Sequence, residues 1–408
     1  MSRTPGRRDL PALGRRDSSR KPPLFIIFAV TLTGILGNTL IVAPLPDIIA
    51  DFDLADSAAG LLVAAGSLPG IVIAPIVGLL ADRYGRKRVL IPCLVIFGAA
   101  GVAAAFAPTF LVLLACRVGQ GIGSAGLINL AVVLIADSWH GEERAKLIGQ
   151  NAAVLTVSVA LFPAFGGALA EAGGWRWSFA PYSIALLTAV GVAWLVPEHL
   201  GAEITTVRRQ IGDAVAVIRQ PRVAASIGFG AVVFVLIFGL FLTALPLLLD
   251  QRFGLGPAAR GFVLAAPAAG STVVALSLGK LRGRFGARRL LLAATMAFTV
   301  AFAVIGFAPL LVIALAGALV YGLGEGASIP TLQDLVSGSA PAASRGAVVA
   351  AWVSAARLGQ TIGPLGTAVL LGVMSPGSVF LVGALIAGAL VVAQLTFRLP
   401  TPVPEPLD

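Results

Sequence analysis

The sequences GLLADRYGRKR (residues 78–88) and GKLRGRFGARR (residues 279–289) are two copies of one pattern, and they stand 201 residues apart. The same offset relates residues 51–66 to residues 252–267. Single residues also recur at this offset: Gly121 and Gly322, Gly123 and Gly324, Arg144 and Arg345, and Pro163 and Pro364. Several matches in one register indicate an internal repeat, so the chain is predicted to consist of two related halves.

The composition of the 408-residue chain indicates that these halves lie in a membrane. Hydrophobic residues make up 58% of the chain and charged residues only 12%, against about 45–50% and about 25% in a soluble domain. The formal net charge of +10 does not indicate a nucleic-acid partner, because the basic residues form short clusters between long apolar runs. Cys93 and Cys116 lie inside apolar runs without ligand spacing, so neither a disulfide framework nor a metal site is expected.

Apolar runs of about 20 residues recur along the chain, and this is the helix length that crosses a hydrocarbon core of about 30 Å. Numbered as spans 1 to 12, they lie near 24–46, 58–80, 89–107, 110–136, 145–169, 178–196, 223–249, 259–280, 290–307, 310–336, 346–372 and 377–397. Six fall in each half, and because six is even both halves have the same orientation. The sequence therefore predicts an all-α integral membrane protein with twelve transmembrane helices, arranged as two parallel six-helix repeats. This arrangement is typical of secondary transporters with a site between the halves.

The distribution of lysine and arginine predicts the orientation of the chain. With a cytosolic N-terminus, 24 of the 29 basic residues fall in inner segments, so both termini are expected in the cytosol. The predicted parts are a basic arm (1–23), a first half (24–196), a cytosolic linker (197–222), a second half (223–397) and a cytosolic tail (398–408). The linker repeats apolar residues at helical spacing, which favours an amphipathic helix on the inner membrane face; a disordered linker is the alternative.

The pattern of residues 78–88 resembles the inner-loop signature of the major facilitator superfamily, and residues 279–289 lie where that family places a second copy. Positive charge on the inner face alone would explain the arginines, but it would not explain the glycines or Asp82. The resemblance implies a cytosolic gate that locks the halves together when the transporter opens outward. Its residues here are Gly78, Asp82, Arg83, Gly85, Arg86, Arg88 and Asp137.

The family resemblance also implies specific contacts of this cytosolic gate. Asp82 is expected to accept hydrogen bonds from N–H groups at the start of span 11, near residues 344–347, and Arg86 to pair with Asp137. Gly78 and Gly85 would permit a tight turn and a close approach of helices. The second copy has Gly283 in place of the aspartate, and there Asp334 is a candidate partner for Arg284 or Arg288.

Arg117 lies within span 4, in a stretch, LLACRVGQGIGSA (113–125), that resembles the arginine motif of proton-coupled exporters of this superfamily. An arginine at this depth is costly, so we expect it to face a cavity or a partner; snorkelling to the outer interface is the alternative. The family places spans 1, 4, 7 and 10 around the substrate path. The residues predicted to line the substrate cavity are Asn38, Arg117, Gln120, Asn129 and Glu325.

A proline motif in span 5 resembles the glycine-proline motif associated with antiport. Its residues are Pro163, Gly166 and Gly167, although Phe162 stands where the family has a glycine, and the copy in span 11 keeps Gly363 before Pro364. Such a stretch is expected to kink a helix at the seam between the halves and to pack tightly there; a purely structural role is as well supported as a coupling role. The end of span 1, Pro44 to Ile48, is similar to the drug-exporter branch.

Two charged residues, Glu325 in span 10 and Arg357 in span 11, lie near the predicted membrane midplane. They are predicted to form a proton-coupling pair in which protonation of Glu325 releases Arg357 and favours one facing state. A static ion pair that holds spans 10 and 11 together is the alternative.

These features together predict a transporter that works by alternating access, and not an enzyme. The expected activity is proton-coupled efflux of small amphipathic or hydrophobic compounds, of the multidrug type, with the proton gradient as energy source and no cofactor. A proton-coupled importer or symporter, or an exporter of a specific and possibly anionic metabolite, is the alternative. We expect a monomer in a bacterial inner membrane, surrounded by lipid, with a small-molecule substrate and protons as its partners.

Overall fold

The computed structural model describes residues 21–198, 219–338 and 345–396, without the side chains at positions 222, 337, 345–347 and 350. The basic arm, the amphipathic linker helix and the tail predicted from the sequence lie largely or wholly outside these residues. Within the described ranges all regular structure is helical. The all-α fold predicted from the composition is thus confirmed.

Fifteen α-helices occupy the described part of the chain. They are α1 (Leu24–Thr39), α2 (Leu45–Asp51), α3 (Ser57–Tyr84), α4 (Arg86–Ala105), α5 (Phe110–Ser124), α6 (Leu127–Ser138), α7 (Gly141–Gly173), α8 (Ile184–Leu195), α9 (Pro221–Val235), α10 (Leu245–Phe253), α11 (Pro257–Ala265), α12 (Pro267–Phe307), α13 (Leu311–Gly338), α14 (Arg345–Leu371) and α15 (Pro376–Thr396). A 3₁₀-helix, Trp175–Ser183, precedes α8, and a π-helical segment, Leu236–Ala244, joins α9 to α10.

These helices form the twelve spans expected of the fold. Among the described residues, nine continuous helical stretches are long and apolar enough to cross a membrane. One of them, Pro257–Phe307, has 51 residues, about 75 Å of helix, and therefore holds spans 8 and 9. Helices α1 and α2 together form span 1, and α14 forms span 11. Large apolar side chains such as Trp194, 85% exposed, cover the outer surface, as expected for a protein that faces lipid.

The internal repeat is also visible in the backbone. Asp53 has a φ of 51° and Gly254, 201 residues later, has a φ of 61°. Gly85 and Gly286, the glycines of the two inner-loop motifs, have φ of 96° and 75°. Such angles strain residues with a β-carbon, so glycine is the residue that lets the chain turn sharply between spans 2 and 3 and between spans 8 and 9. The two motifs therefore encode the same turn.

The two halves meet along an interface, here called the seam. Positions related by the 201-residue repeat make equivalent contacts there. A β-carbon added to Gly60 in α3 would collide with the carbonyl oxygen of Pro364 in α14. At the equivalent positions, a β-carbon on Gly261 in α11 would collide with the carbonyl oxygen of Pro163 in α7. Span 2 packs on span 11 as span 8 packs on span 5, which is the relation produced by a twofold axis along the membrane normal.

We expect Gly60→Ala to destabilise the protein by about 1–3 kcal/mol, because the new methyl group meets a backbone oxygen that has no room to move. Gly149→Ala in α7 is the matched control, since no described atom lies within 4 Å of its β-carbon position. Alanine favours a helix over glycine, so the control is expected to be neutral or stabilising. Thermal unfolding of the purified variants checks this, and equal effects of both changes would contradict the close approach at the seam.

Candidate functional site

Arg117 is the centre of a buried polar network in the first half. Its side chain has 0% exposure. Nη1 donates to the carbonyl oxygen of Gly37 at 2.6 Å and to Oε1 of Gln120 at 2.8 Å, and Nη2 donates to Oδ1 of Asn38 at 3.0 Å. Nε donates to the carbonyl oxygen of Leu62 at 3.3 Å. The network joins spans 1, 2 and 4.

The break in span 1 explains how this cation is accommodated without a carboxylate. Helix α1 ends at Thr39, and the last carbonyl groups of a helix lack helical partners and carry partial negative charge. Arg117 donates to the carbonyl of Gly37, and the hydroxyl of Tyr182 donates to the carbonyl of Leu36 at 3.0 Å. The end of α1 thus supplies the acceptors, and the arginine supplies the donors that the broken helix requires.

The structure meets one expectation for this region, that Arg117 faces a partner, and differs from another, that Arg117 and Gln120 line the substrate cavity. Arg117 does not snorkel to the outer interface, because its whole side chain is enclosed by helices. Arg117 and Gln120 also do not line an open substrate path in this structure, since Gln120 is only 1% exposed. Asn38 remains half-buried, and its Nδ2 donates to Oγ of Ser67 at 3.2 Å. The close packing of spans 1, 2 and 4 encloses Arg117, which the sequence predicted to line the substrate cavity.

Asn129 lies apart from the Arg117 network. Its exposed side chain lines a cavity of about 140 Å³ between α3 and α6, together with Asp82 and Arg86 of the inner-loop motif. The break between α5 and α6 after Ser124 separates the two regions of span 4. The cavity assigned to Asn129 is therefore at the motif, and the structure does not join it to Asn38 or Arg117.

The inner-loop motif forms an ionic cluster at the end of span 2. Arg86 pairs with Asp82, four residues earlier, and its Nε lies 3.2 Å from Oδ2 of Asp137 at the end of α6. The contact of Arg86 with Asp137 implied by the family is thus present. Arg88 lies 3.7 Å from Glu198, and the guanidinium of Arg83 lies 5.4 Å from the ring centre of Tyr84.

Other expectations for this motif have different outcomes. Gly85 makes the tight turn, but no described atom lies within 4 Å of a β-carbon at Gly78, so no close approach of described residues occurs there. The predicted hydrogen bonds from backbone N–H groups near residues 344–347 to Asp82 fall at the edge of the described residues, which resume at 345, and stay a prediction. In the structure the Asp82 carboxylate accepts a hydrogen bond from Arg86.

The second copy of the motif has a different ion pair from the one expected. Asp334 pairs with Arg282, not with Arg284 or Arg288. Arg288 instead donates to the carbonyl oxygen of Gln394 at 3.3 Å. The repeat explains the difference, because Arg282 and Asp334 correspond to Ala81 and Val133, which line the cavity at Asn129. Charged side chains thus stand in the second half where the first half has small apolar ones.

Glu325 and Arg357 do not form the predicted pair. No described cation lies within 4.0 Å of the Glu325 carboxylate. Glu325 follows Tyr321 by one turn, and the ring of Tyr321 stacks on Phe241 of the π-helical segment at 4.1 Å. Arg357 points elsewhere, because its Cδ lies 3.4 Å from where a β-carbon on Gly70 of α3 would stand. Glu325 lies on a helix face directed toward span 7 and Arg357 on one directed toward span 2, which sequence spacing alone does not show.

The proline motifs lie at close helix contacts. A β-carbon on Gly167 would meet the carbonyl of Pro257, and one on Gly363 would meet the carbonyl of Val235 at 2.5 Å. Gly166 accepts a hydrogen bond from Ser178 Oγ at 2.8 Å. Helices α7 and α14 continue through Pro163 and Pro364 without a break in their assignment. The motifs therefore provide tight packing between spans, as expected, within continuous helices.

A set of contacts at the outer side was missed by sequence analysis. Nη2 of Arg260, at the start of span 8, lies 2.6 Å from Oδ2 of Asp47 in α2. Arg260 is only 1% exposed, and its Nη1 lies 3.8 Å from Asp250. Gln251 also donates to Asp56 at 2.6 Å. Each of the contacts with Asp47 and Asp56 joins the first half to the second, on the side that the charge distribution predicts to be the outer one. The only hint in the sequence was the run of acidic residues that follows span 1, which does not show which basic residue would pair with them. These residues are Asp47, Asp51, Asp53 and Asp56.

This architecture defines a class of protein. Two parallel six-span halves related by a twofold axis, with ionisable side chains inside the spans, characterise secondary transporters. The family model described as Major Facilitator Superfamily matches residues 27–235 and 227–408. The chain therefore belongs to the major facilitator superfamily.

Similar proteins include known transporters and resistance proteins. The bacillibactin exporter of Bacillus subtilis (strain 168) is 34% identical over 166 residues, a match covering 39% of this chain and 40% of that protein. The chloramphenicol resistance protein of Streptomyces lividans is 27% identical over 359 residues, 84% of this chain and 91% of that protein. The match to the exporter thus spans well under two thirds of its length.

A solved structure shows the same fold over nearly the whole chain. It is that of a bacterial homologue of the human lysosomal transporter Spinster, in an inward-facing and occupied conformation. Its TM-score is 0.74 at 20% sequence identity, covering 94% of this chain and 98% of that one. The twelve-span fold predicted from the sequence agrees with this neighbour.

Proposed function

We propose that the protein is a proton-coupled secondary transporter that exports small amphipathic or hydrophobic compounds by alternating access. The observation that carries the proposal is the carboxylate of Glu325, in the interior of α13 and without a described cation within 4.0 Å. An ionisable group inside a transmembrane helix is costly and marks an ion or substrate pathway. Export is supported by the names of the relatives, a bacillibactin exporter and a chloramphenicol resistance protein.

The proposal places the protein in a bacterial inner membrane as a monomer, with both termini in the cytosol. The cytosolic clusters of lysine and arginine support this orientation. The proton gradient is the energy source, and the cluster of Asp82, Arg86 and Asp137 is the proposed inner gate. A cysteine introduced at the outer Asp53 is expected to react with a membrane-impermeant reagent in intact cells.

Accumulation in whole cells tests the proposed activity. Cells that express the protein are loaded with a panel of fluorescent cationic, neutral and anionic amphiphiles, with and without a protonophore. Export predicts lower accumulation of some compounds, and collapse of the proton gradient should restore it. Higher accumulation in expressing cells would show uptake, and equal accumulation across the panel would remove the multidrug proposal.

Alternating access also requires the contacts that close the outer side to break when that side opens. We expect Arg260→Ala to favour the outward-open state, because it removes the ion pair with Asp47 that joins the halves. Arg176→Ala is the matched control, since Arg176 pairs with Asp51 at 2.8 Å within the first half. The measurement is the labelling rate of a cysteine at Ala43, a fully buried residue four positions before Asp47, by a water-soluble maleimide added from outside.

Faster labelling in the Arg260→Ala variant, with wild-type labelling in the Arg176→Ala variant, is the expected result. An exposed ion pair within one half contributes about 0–1 kcal/mol to stability. Its removal breaks no contact between the two halves. Equal labelling rates in all three proteins would contradict a closing role for Arg260.

A further inference from the structure

Arg357 crosses the seam between the two halves at the depth of the membrane interior. It follows the start of α14 by twelve residues, about 18 Å along the helix. Its Cδ, Nε and Cζ lie 3.4, 3.5 and 3.7 Å from where a β-carbon on Gly70 would stand. The absence of a side chain at Gly70 leaves room for a guanidinium group from the other half.

The hydrogen-bonding capacity of Arg357 is mostly unused. A guanidinium group has five N–H donors, and among the described residues Arg357 makes one side-chain hydrogen bond, from Nη1 to Oε1 of Gln360 at 3.4 Å. No described carboxylate lies within 4.0 Å, and Glu325 points to a different neighbour. The side chain is half-buried. A cation in this position stabilises an anion that enters the seam.

Comparison with Arg117 shows that this property is specific to Arg357. Arg117 is fully enclosed, and four acceptors satisfy its donors. The two arginines nevertheless flank the same part of α3, because β-carbons on Gly66 and Gly70, one helical turn apart, would contact Arg117 and Arg357 respectively. Two positive charges therefore lie beside this turn of span 2. Of the two arginines, Arg357 is the one with donors that bind no described acceptor.

We propose that Arg357 binds an anionic group, best a carboxylate, of an amphipathic substrate held at the seam between spans 2 and 11. This inference rests on the proposed transport function and names the class of its substrate. The planar guanidinium matches a carboxylate with two parallel hydrogen bonds, which a lysine ammonium does not reproduce. Neutral analogues of the same shape lose this contact and leave the arginine without a partner.

Binding of a matched pair of probes tests the proposal. The full-length protein in phosphatidylcholine vesicles is titrated with pyrenebutyrate and with its uncharged amide, and energy transfer from protein tryptophans reports binding. Arg357→Gln is expected to weaken binding of pyrenebutyrate by roughly tenfold or more while leaving the amide unchanged. Arg357→Lys is expected to retain part of the preference. Arg219→Gln, at the cytosolic end of the linker, is the control for loss of one positive charge.

Each outcome of this experiment decides the proposal. A loss restricted to the carboxylate probe supports it, and an equal loss of both probes, or no loss, overturns it. Gel filtration and the Arg357→Lys variant distinguish misfolding from loss of binding. A carboxylate preference that disappears in wild-type protein when phosphatidylglycerol is added assigns Arg357 to a lipid headgroup and overturns the substrate assignment. Carboxylate-selective binding without proton-driven transport would leave this inference standing while the proposed function fails.

Discussion

Replacing Glu325 with glutamine is expected to abolish transport driven by a pH gradient while the protein remains folded. Glutamine has the size and shape of a protonated glutamic acid but does not exchange a proton. No described residue neutralises Glu325 by an ion pair, so its protonation state is free to change as the halves move. In vesicles that contain the variant, the rate driven by an acid-outside gradient should fall to that of protein-free vesicles.

A second measurement separates the loss of coupling from a loss of folding or binding. Exchange of labelled for unlabelled substrate at equal pH on both sides does not need the gradient, and it should persist in Glu325→Gln. Glu143→Gln is the matched control, because Glu143 forms an exposed pair with Lys21, 3.2 Å apart, outside the membrane-spanning part. Full gradient-driven transport by the Glu325→Gln variant would refute the assignment of proton coupling to this residue.

The second large effect is expected from Arg117→Gln, which should strongly lower stability. The shorter side chain cannot reach the carbonyl groups of Gly37 and Leu62 together with Asn38, so buried acceptors lose their donors. Each buried polar group left without its partner costs about 1–3 kcal/mol, and the end of α1 is held by these bonds. We expect a marked fall in the thermal unfolding midpoint and in the yield of folded protein.

Arg357→Gln is the informative comparison for this prediction, because it also removes an arginine from the membrane interior. Among the described residues, the Arg357 side chain makes a single hydrogen bond of 3.4 Å, so its loss should change the unfolding midpoint little. Arg117→Lys keeps the charge but lacks the forked geometry, and an intermediate midpoint is expected. If the Arg357 and Arg117 variants unfold at the same temperature, the network around Arg117 does not have the stabilising role proposed.

Comparison of individual residues shows which site features were predictable. The turn at Gly85 and its copy at Gly286 followed from the motif, because a left-handed backbone angle demands glycine. The contact of Arg86 with Asp137 followed from family resemblance. The pairing of Glu325 with Arg357 was wrong in this structure, although both residues lie inside long helices, as expected. The position of a residue along a helix can be counted from the sequence. The neighbour that its helix face contacts depends on how the helices pack.

The same distinction explains the outer contacts. Arg260 and Asp47 are separated by more than 200 residues and belong to different halves. Asp47 stands in the stretch from Pro44 to Ile48 and Arg260 in the repeat at 252–267, but neither stretch predicted their contact. Their contact depends on the angle at which the halves meet. Likewise, Asp334 pairs with Arg282 because the second half has charged residues at these two positions. The equivalent positions of the first half hold Ala81 and Val133.

The residue order alone predicted helices in a membrane, twelve spans, a repeat after 201 residues and sharp turns at the two repeat-related glycines, Gly85 and Gly286. These are consequences of hydrophobic length, charge distribution and backbone sterics, all of which act locally. Helix packing was needed to place Arg117 among backbone and amide oxygens, to bring Arg357 to span 2 and to join the halves through Arg260. Inside a membrane a charged side chain needs groups that hydrogen-bond or pair with it, and helix packing decides which groups are within reach.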